Sequence, residues 1–127
     1  MNTAKKILEK SIEKNILEYL EARGDGYFWK NNSVGVYDPV KRVYRKARSR
    51  FLIKGTADIL GCYRGLFIAL EVKTKSGRLT SGQKKFLQNI NKQGGIGAVV
   101  RSMADTAIIM DAIKTGDIES ASFFIVR

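Results

Sequence analysis

Gly55–Lys73, GTADILGCYRGLFIALEVK, decides the fold. Arg64-Gly65 breaks it into two short apolar segments, the pattern of two strands joined by a tight turn. Ile59, Leu60, Leu66, Phe67, Ile68, Leu70 and Val72 are apolar on both faces of the predicted strands, which places the hairpin inside a sheet. Asp58, Glu71 and Lys73 interrupt that pattern. A buried carboxylate or ammonium costs several kcal/mol by order of magnitude unless it is paired or binds a metal, so three of them in one hairpin need a reason.

Spacing supplies it. Strand side chains alternate faces, so Glu71 and Lys73 share a face, roughly 7 Å apart. Pairing through the Arg64-Gly65 turn brings Asp58 to that face near Glu71. Two carboxylates and a lysine then converge, either as a buried salt-bridge cluster or as a site for Mg²⁺ or Mn²⁺, hard cations that one or two carboxylates and a substrate phosphate can hold.

An acid on one strand followed by acid-x-Lys on the next, here Asp58 and Glu71-Val72-Lys73, resembles the core of the PD-(D/E)xK nuclease superfamily. GTADILG, the hairpin into LEVK, then SGRLTSGQKKFLQNINKQGG and an apolar strand are similar to its VRR-Nuc branch, over roughly residues 9–102. Small stand-alone members of that branch are common in phages. Ala57 stands where the family often has proline before the aspartate.

Composition narrows the chemistry independently. A chain of 127 residues, 44% hydrophobic, predicts a single domain (1–127) with one sheet and a few helices. No apolar run is long enough for a membrane span and the first residues are charged throughout, so a cytoplasmic protein without a signal peptide is expected. Cys62 is the sole cysteine and histidine is absent, which excludes an internal disulfide, a His/Cys zinc site and a Ser/His/Asp triad. The formal charge of +11 favours a polyanionic partner.

Along the chain, residues 3–23 read as an amphipathic helix with Leu8, Ile12, Ile16, Tyr19 and Leu20 on one face, Thr3 as a possible N-cap and Gly24 as its stop. Glu13 lies at the edge of that stripe, where spacing alone fits a solvated boundary residue and a site residue equally well. Tyr27–Lys30 has strand composition. From Lys41 to Lys54 there are seven basic residues and no acid: Lys41, Arg42, Arg45, Lys46, Arg48, Arg50 and Lys54. Tyr44 and Phe51 are interleaved, Tyr37 precedes them, and Val43-Tyr44 suits a short ribbon. Such a segment suits phosphate contacts with stacking on unpaired bases. Thr80 caps a helix over about 81–93 with Phe86, Leu87 and Ile90 inward, Gln83 falls in its first turn, and Ile96–Arg101 is a strand. Gly94, Gly95 and Gly97 follow a helix and precede a strand, the reverse of a phosphate loop. Ser102 and Asp105 open a last helix whose Met103, Ala107, Ile108, Met110 and Ile113 are expected in the core, and Ser122–Val126 suits an edge strand.

The resemblance implies an α/β fold with a restriction-endonuclease-like core, a central mixed sheet flanked by helices. It implies a Mg²⁺-dependent DNA endonuclease, with Mn²⁺ able to substitute. Asp58, Glu71 and the Val72 carbonyl would bind the ion, Glu13 would assist through the ion or its water with Glu9 as second candidate, Lys73 would orient the attacking water, and Gln83 would face the site. It further implies a homodimer acting on four-way DNA junctions. Flap or general duplex cleavage, a non-catalytic binder of branched DNA, and an RNA-binding module remain alternatives.

Overall fold

A 21-residue helix, α1 (Thr3–Arg23), opens the protein in a computed structural model that describes residues 3–31, 36–45 and 49–127. It ends where the Gly24 N–H reaches back to the Leu20 carbonyl. Strands β1 (Tyr27–Lys30), β2 (Val36–Asp38), β3 (Val43–Arg45), β4 (Ile59–Tyr63) and β5 (Leu66–Val72) follow. Helix α2 (Ser81–Lys92), strand β6 (Ile96–Val100), helix α3 (Met103–Thr115) and a 3₁₀ turn (Ile118–Ala121) complete the order.

Four strands form one mixed sheet in the order β1-β4-β5-β6, while β2 and β3 pair separately. The β4–β5 hairpin closes through Arg64 and Gly65, both in the left-handed region (φ 52° and 81°), as a two-residue hairpin turn requires. That turn sets the register from Tyr63↔Leu66 to Ile59↔Leu70. β6 lies parallel to β5 and is reached by the crossover through α2.

The strands' alternation feeds two cores. Ile59, Ile68, Leu70, Val72, Ala98 and Val100 face α1 and α3 and meet Ile16, Leu20, Ile109, Met110 and Ile113. Ala69, Leu60 and Val99 face the other way, onto Phe86 and Leu87 of α2. Each fully buried Leu or Ile contributes about 1.5–3 kcal/mol. The result is an α/β sandwich with the mixed sheet between α2 and the α1/α3 pair. No helix among the described residues is long and apolar enough to cross a membrane.

Local expectations fail where the covering layers stop. Phe67 is 37% exposed because α2 does not extend over that end of β5. Leu8 is exposed on the N-terminal half of α1. On α3, Met103 and Ile108 are exposed and Ala107 is half-buried, whereas Thr106 and Ile109 are buried with Met110 and Ile113. Thr106 can lie inside because its hydroxyl donates to the Ser102 carbonyl. The expected edge strand at Ser122–Val126 is a single bridge, Ala98↔Ile125, flanked by the hydrogen bonds Val99 N to Phe124 O and Val126 N to Gly97 O. Turns at Phe124 and Ile125 use the amides that a longer ladder would need.

Candidate active site

Asp58 immediately precedes β4 and Glu71 is the penultimate residue of β5. One further step of the hairpin register sets them opposite each other. The Val72 N–H donates to Asp58 Oδ2 at 2.8 Å, and the Asn31 N–H donates to the Asp58 carbonyl at 2.8 Å. The Asp58 carbonyl and one carboxylate oxygen are therefore tied to the chain on either side of it.

Glu71 is 3% exposed. Burial pushes its carboxyl up to about 9, the hydrogen bond and charge of Asp58 push the same way, Lys73 opposes them, and Glu9 adds a smaller upward push. Without a cation, burial and the neighbouring Asp58 thus favour the protonated form of Glu71 at neutral pH.

Lys73 is 5% exposed, with Nζ 3.9 Å from Glu71 Oε2. Its N–H donates to the Val100 carbonyl at 3.1 Å, which carries the parallel ladder one residue past β5. The chain then turns at Thr74–Gly77, where the Gly77 N–H donates to the Thr74 carbonyl. A β-carbon on Gly77 would lie 3.4 Å from Cβ and Cδ of Lys73, so the turn covers the lysine's stem. Arg101 holds that turn: its Nη1 donates to the carbonyls of Thr74 (2.6 Å) and Gly77 (2.7 Å). Nothing in the sequence signals this role, since a lone arginine at a strand end reads as surface.

Gln83 is oriented by the helix it opens. Thr80 and Gln83 form a capping box: the Gln83 N–H donates to Thr80 Oγ1, and the Thr80 N–H donates to Gln83 Oε1 at 2.9 Å. With its oxygen so used, the amide presents Nε2, which donates to Glu71 Oε2 at 3.3 Å. The sequence resemblance implies that Gln83 faces the site. The structure adds that its partner there is Glu71.

On α1 the two glutamates part company. Glu13 pairs with Lys30 of β1, Oε1 to Nζ 3.2 Å. Glu9 acts on Glu71, and its Oε2 is buried with no hydrogen-bond partner among the described residues. The geometry thus brings Glu9 toward the carboxyl pair and sets Glu13 against β1.

Of the basic segment, Lys41, Arg42, Arg50 and Lys54 are exposed and Arg45 belongs to β3; Lys46 and Arg48 lie outside the described residues. The Arg50 guanidinium sits 4.6 Å from the centre of the Phe51 ring. The segment's end meets the site's border, since a β-carbon on Gly82 would lie 3.7 Å from the Lys54 carbonyl oxygen. Gly82 immediately precedes Gln83.

Asp58 and Glu71 are hard oxygen donors forced together, and Glu9, farther off on α1, has one carboxylate oxygen without a hydrogen-bond partner among the described residues. Such a set gains from a small divalent cation, which would replace the Glu71 proton. No cluster of three or more His, Cys, Asp or Glu residues forms a ready metal cage among the described residues. The donor set matches the one or two carboxylates that Mg²⁺ takes beside water and phosphate.

The sequence profile of the VRR-NUC domain matches residues 4–104. The Holliday junction resolvase RecU of Mycoplasmopsis pulmonis (strain UAB CTIP) is 40% identical over 50 aligned residues, covering 35% of this chain and 32% of the relative. The match spans about a third of each protein.

Proposed function

The chain belongs to the VRR-NUC domain family, and from that premise we propose that it is a Mg²⁺-dependent DNA endonuclease that hydrolyses phosphodiester bonds in branched DNA. Four-way junctions are the favoured substrate, given a relative named for resolving them. The observation that carries the reading is the Asp58–Glu71 carboxyl pair, Glu71 buried and Asp58 half-buried, with Lys73 beside it and Gln83 donating into it. A simple structural ion pair needs one carboxylate for one lysine, whereas here a second carboxyl, Glu71, is buried beside Asp58 and Lys73 and favours its protonated form.

Asp58, Glu71 and the Val72 carbonyl would hold the cation, with Glu9 or Glu13 assisting from α1. When bound, it would supply a water of lowered pKa and offset the charge building on the phosphate. Glu71 must release its proton first, and the Gln83 amide steadies the carboxylate that results. Lys73, confined by the Thr74–Gly77 turn, directs its ammonium toward the attacking water and the developing phosphate charge. A homodimer would set two such sites on opposed strands of a symmetric junction.

The test is cleavage of a labelled four-way junction, a flap and a linear duplex in Mg²⁺, Mn²⁺ or EDTA, with wild type beside Asp58→Ala and Glu71→Ala. Cutting is expected only with metal, fastest on the junction, and lost in both variants. Tight binding without cutting under either metal would replace the nuclease by a non-catalytic binder of branched DNA.

A further inference from the structure

The sheet face that carries Asp58 and Glu71 is only half covered. Opposed side chains of an antiparallel pair share a face. Tyr27 with Cys62, Trp29 with Leu60, and Cys62 with Phe67 therefore lie on the same face as the carboxyl pair. Phe86 and Leu87 of α2 cover Ala69, with Leu60 at the margin. Past Leu60 the face is open: Tyr27 is 74% exposed, Trp29 41%, and Cys62 is exposed.

This outward aim is built into the register. Phe28, between the two, points to the opposite face and packs with the main core. It does so by lying across Gly61, where a β-carbon would collide with the Phe28 ring. A one-residue slip would exchange the faces, and any side chain at Gly61 would displace Phe28. β1 thus buries one aromatic residue and turns two outward, their rings 5.8 Å apart and tilted by 52°.

The row leads to the reacting end. Trp29 stands opposite Leu60, two residues and roughly 7 Å along the strand from Asp58. The hydrogen bond from Asn31 N–H to the Asp58 carbonyl continues β1 up to that aspartate. Tyr27, Trp29, Leu60, Cys62 and Phe67 include no acid, and the chain carries +11. Lys30 and, on the α1 side, Glu21 share the cleft lined by Tyr27 and Trp29, the net charge favours a polyanion, and aromatic rings accept the π-face of any base.

We propose that Trp29 and Tyr27 form a stacking platform for unpaired nucleotides flanking the scissile phosphate, so that the protein senses lost base pairing next to the bond it cuts. The position of the phosphate rests on the nuclease reading; the platform's contact with DNA is measurable without it.

Trp29 is the chain's only tryptophan and Cys62 its only cysteine, so each is a unique probe. In EDTA, the protein is titrated with an oligodeoxythymidylate strand or with linear duplex, and binding is followed by anisotropy of the labelled DNA. The single strand should quench Trp29 fluorescence and slow maleimide reaction at Cys62, while the duplex does neither. Trp29→Ala and Tyr27→Ala should each weaken single-strand binding about tenfold, with Trp29→Phe restoring most of it. The proposal is overturned if bound single strand leaves fluorescence and Cys62 reactivity unchanged. It is equally overturned if the alanine variants dissociate a dimer in sedimentation while DNA affinity holds, which would make the face a contact between copies. Quenching in a protein that never cuts would remove the nuclease and keep the platform; metal-dependent cutting with a silent Trp29 would do the reverse.

Discussion

Glu71 sets what its site demands of the fold. Its folded pKa near 9 lies above the ordinary 4.5. Between those values the folded chain keeps a proton that the unfolded chain gives up, so stability is full below about pH 4.5 and declines as pH rises toward 9. In EDTA, Glu71→Gln should remove that slope and raise Tm at pH 8 by about 5 °C or more, while abolishing cleavage. Thermal melts from pH 5 to 9 would decide it, and a variant that keeps the wild-type slope would clear Glu71 of responsibility. The same scale shows where sequence reading reaches. Asp58, Glu71 and Lys73 could be brought together on paper because a strand's period of two and a two-residue turn leave one register. Glu9 and Glu13 could not be ranked so, because both border the helix's apolar stripe. Which of them meets the carboxyl pair depends on where α1 crosses the sheet, and Lys30, which pairs with Glu13, comes from another element.

Among elements, the unit β5–α2–β6 was legible nearly to the residue: short continuous apolar runs, the Thr80 cap and the glycines Gly94 and Gly95 mark its ends. The connection from Lys73 to Thr80 carries no pattern of its own, because its order comes from outside it. Arg101, at the far end of β6, donates to two carbonyls of the Thr74–Gly77 turn, and its own N–H donates to Asp105 in the first turn of α3. Hydrogen bonds to a charged donor contribute about 1.5–3 kcal/mol each, enough to hold a short turn over Lys73. Arg101→Ala should therefore lower the cleavage rate about tenfold at nearly unchanged DNA affinity, and Arg101→Lys should recover part of it. Hydrogen exchange over residues 74–79 checks the cause: exchange should rise in the alanine variant, and a slow enzyme with a still-protected turn would refute the clamp. The last helix shows the opposite limit, for Met103 and Ile108 fit an apolar stripe yet lie exposed while Thr106 is buried. Packing against α1 and the sheet selects the face, and that selection is not written in α3 itself.

At the scale of the molecule, charge and catalysis are set apart in the chain yet adjoin in space. The acids of the site occupy the hairpin's end and α1, whereas the basic residues from Lys41 onward precede the hairpin and run up to Lys54 beside the first turn of α2. The division suits a protein that gains affinity along the DNA backbone and reserves its few carboxyl groups for one phosphate. Phosphate contacts release counterions, so log affinity falls with log salt by about 0.9 per contact on duplex DNA. Neutralising Lys41, Arg42, Arg50 and Lys54 to glutamine should weaken junction binding and shallow that slope by up to about 3.6 if each makes one contact. Asp58→Ala should leave the slope unchanged, because its carboxylate is held by the Val72 N–H and makes no phosphate contact that would release a counterion. Titrations from 50 to 300 mM salt on catalytically dead protein would measure both. If the glutamine variant keeps the wild-type slope, the basic segment is a solvated surface and the phosphate contacts lie elsewhere; if Asp58→Ala steepens it, the site itself opposes ground-state binding until a cation is present.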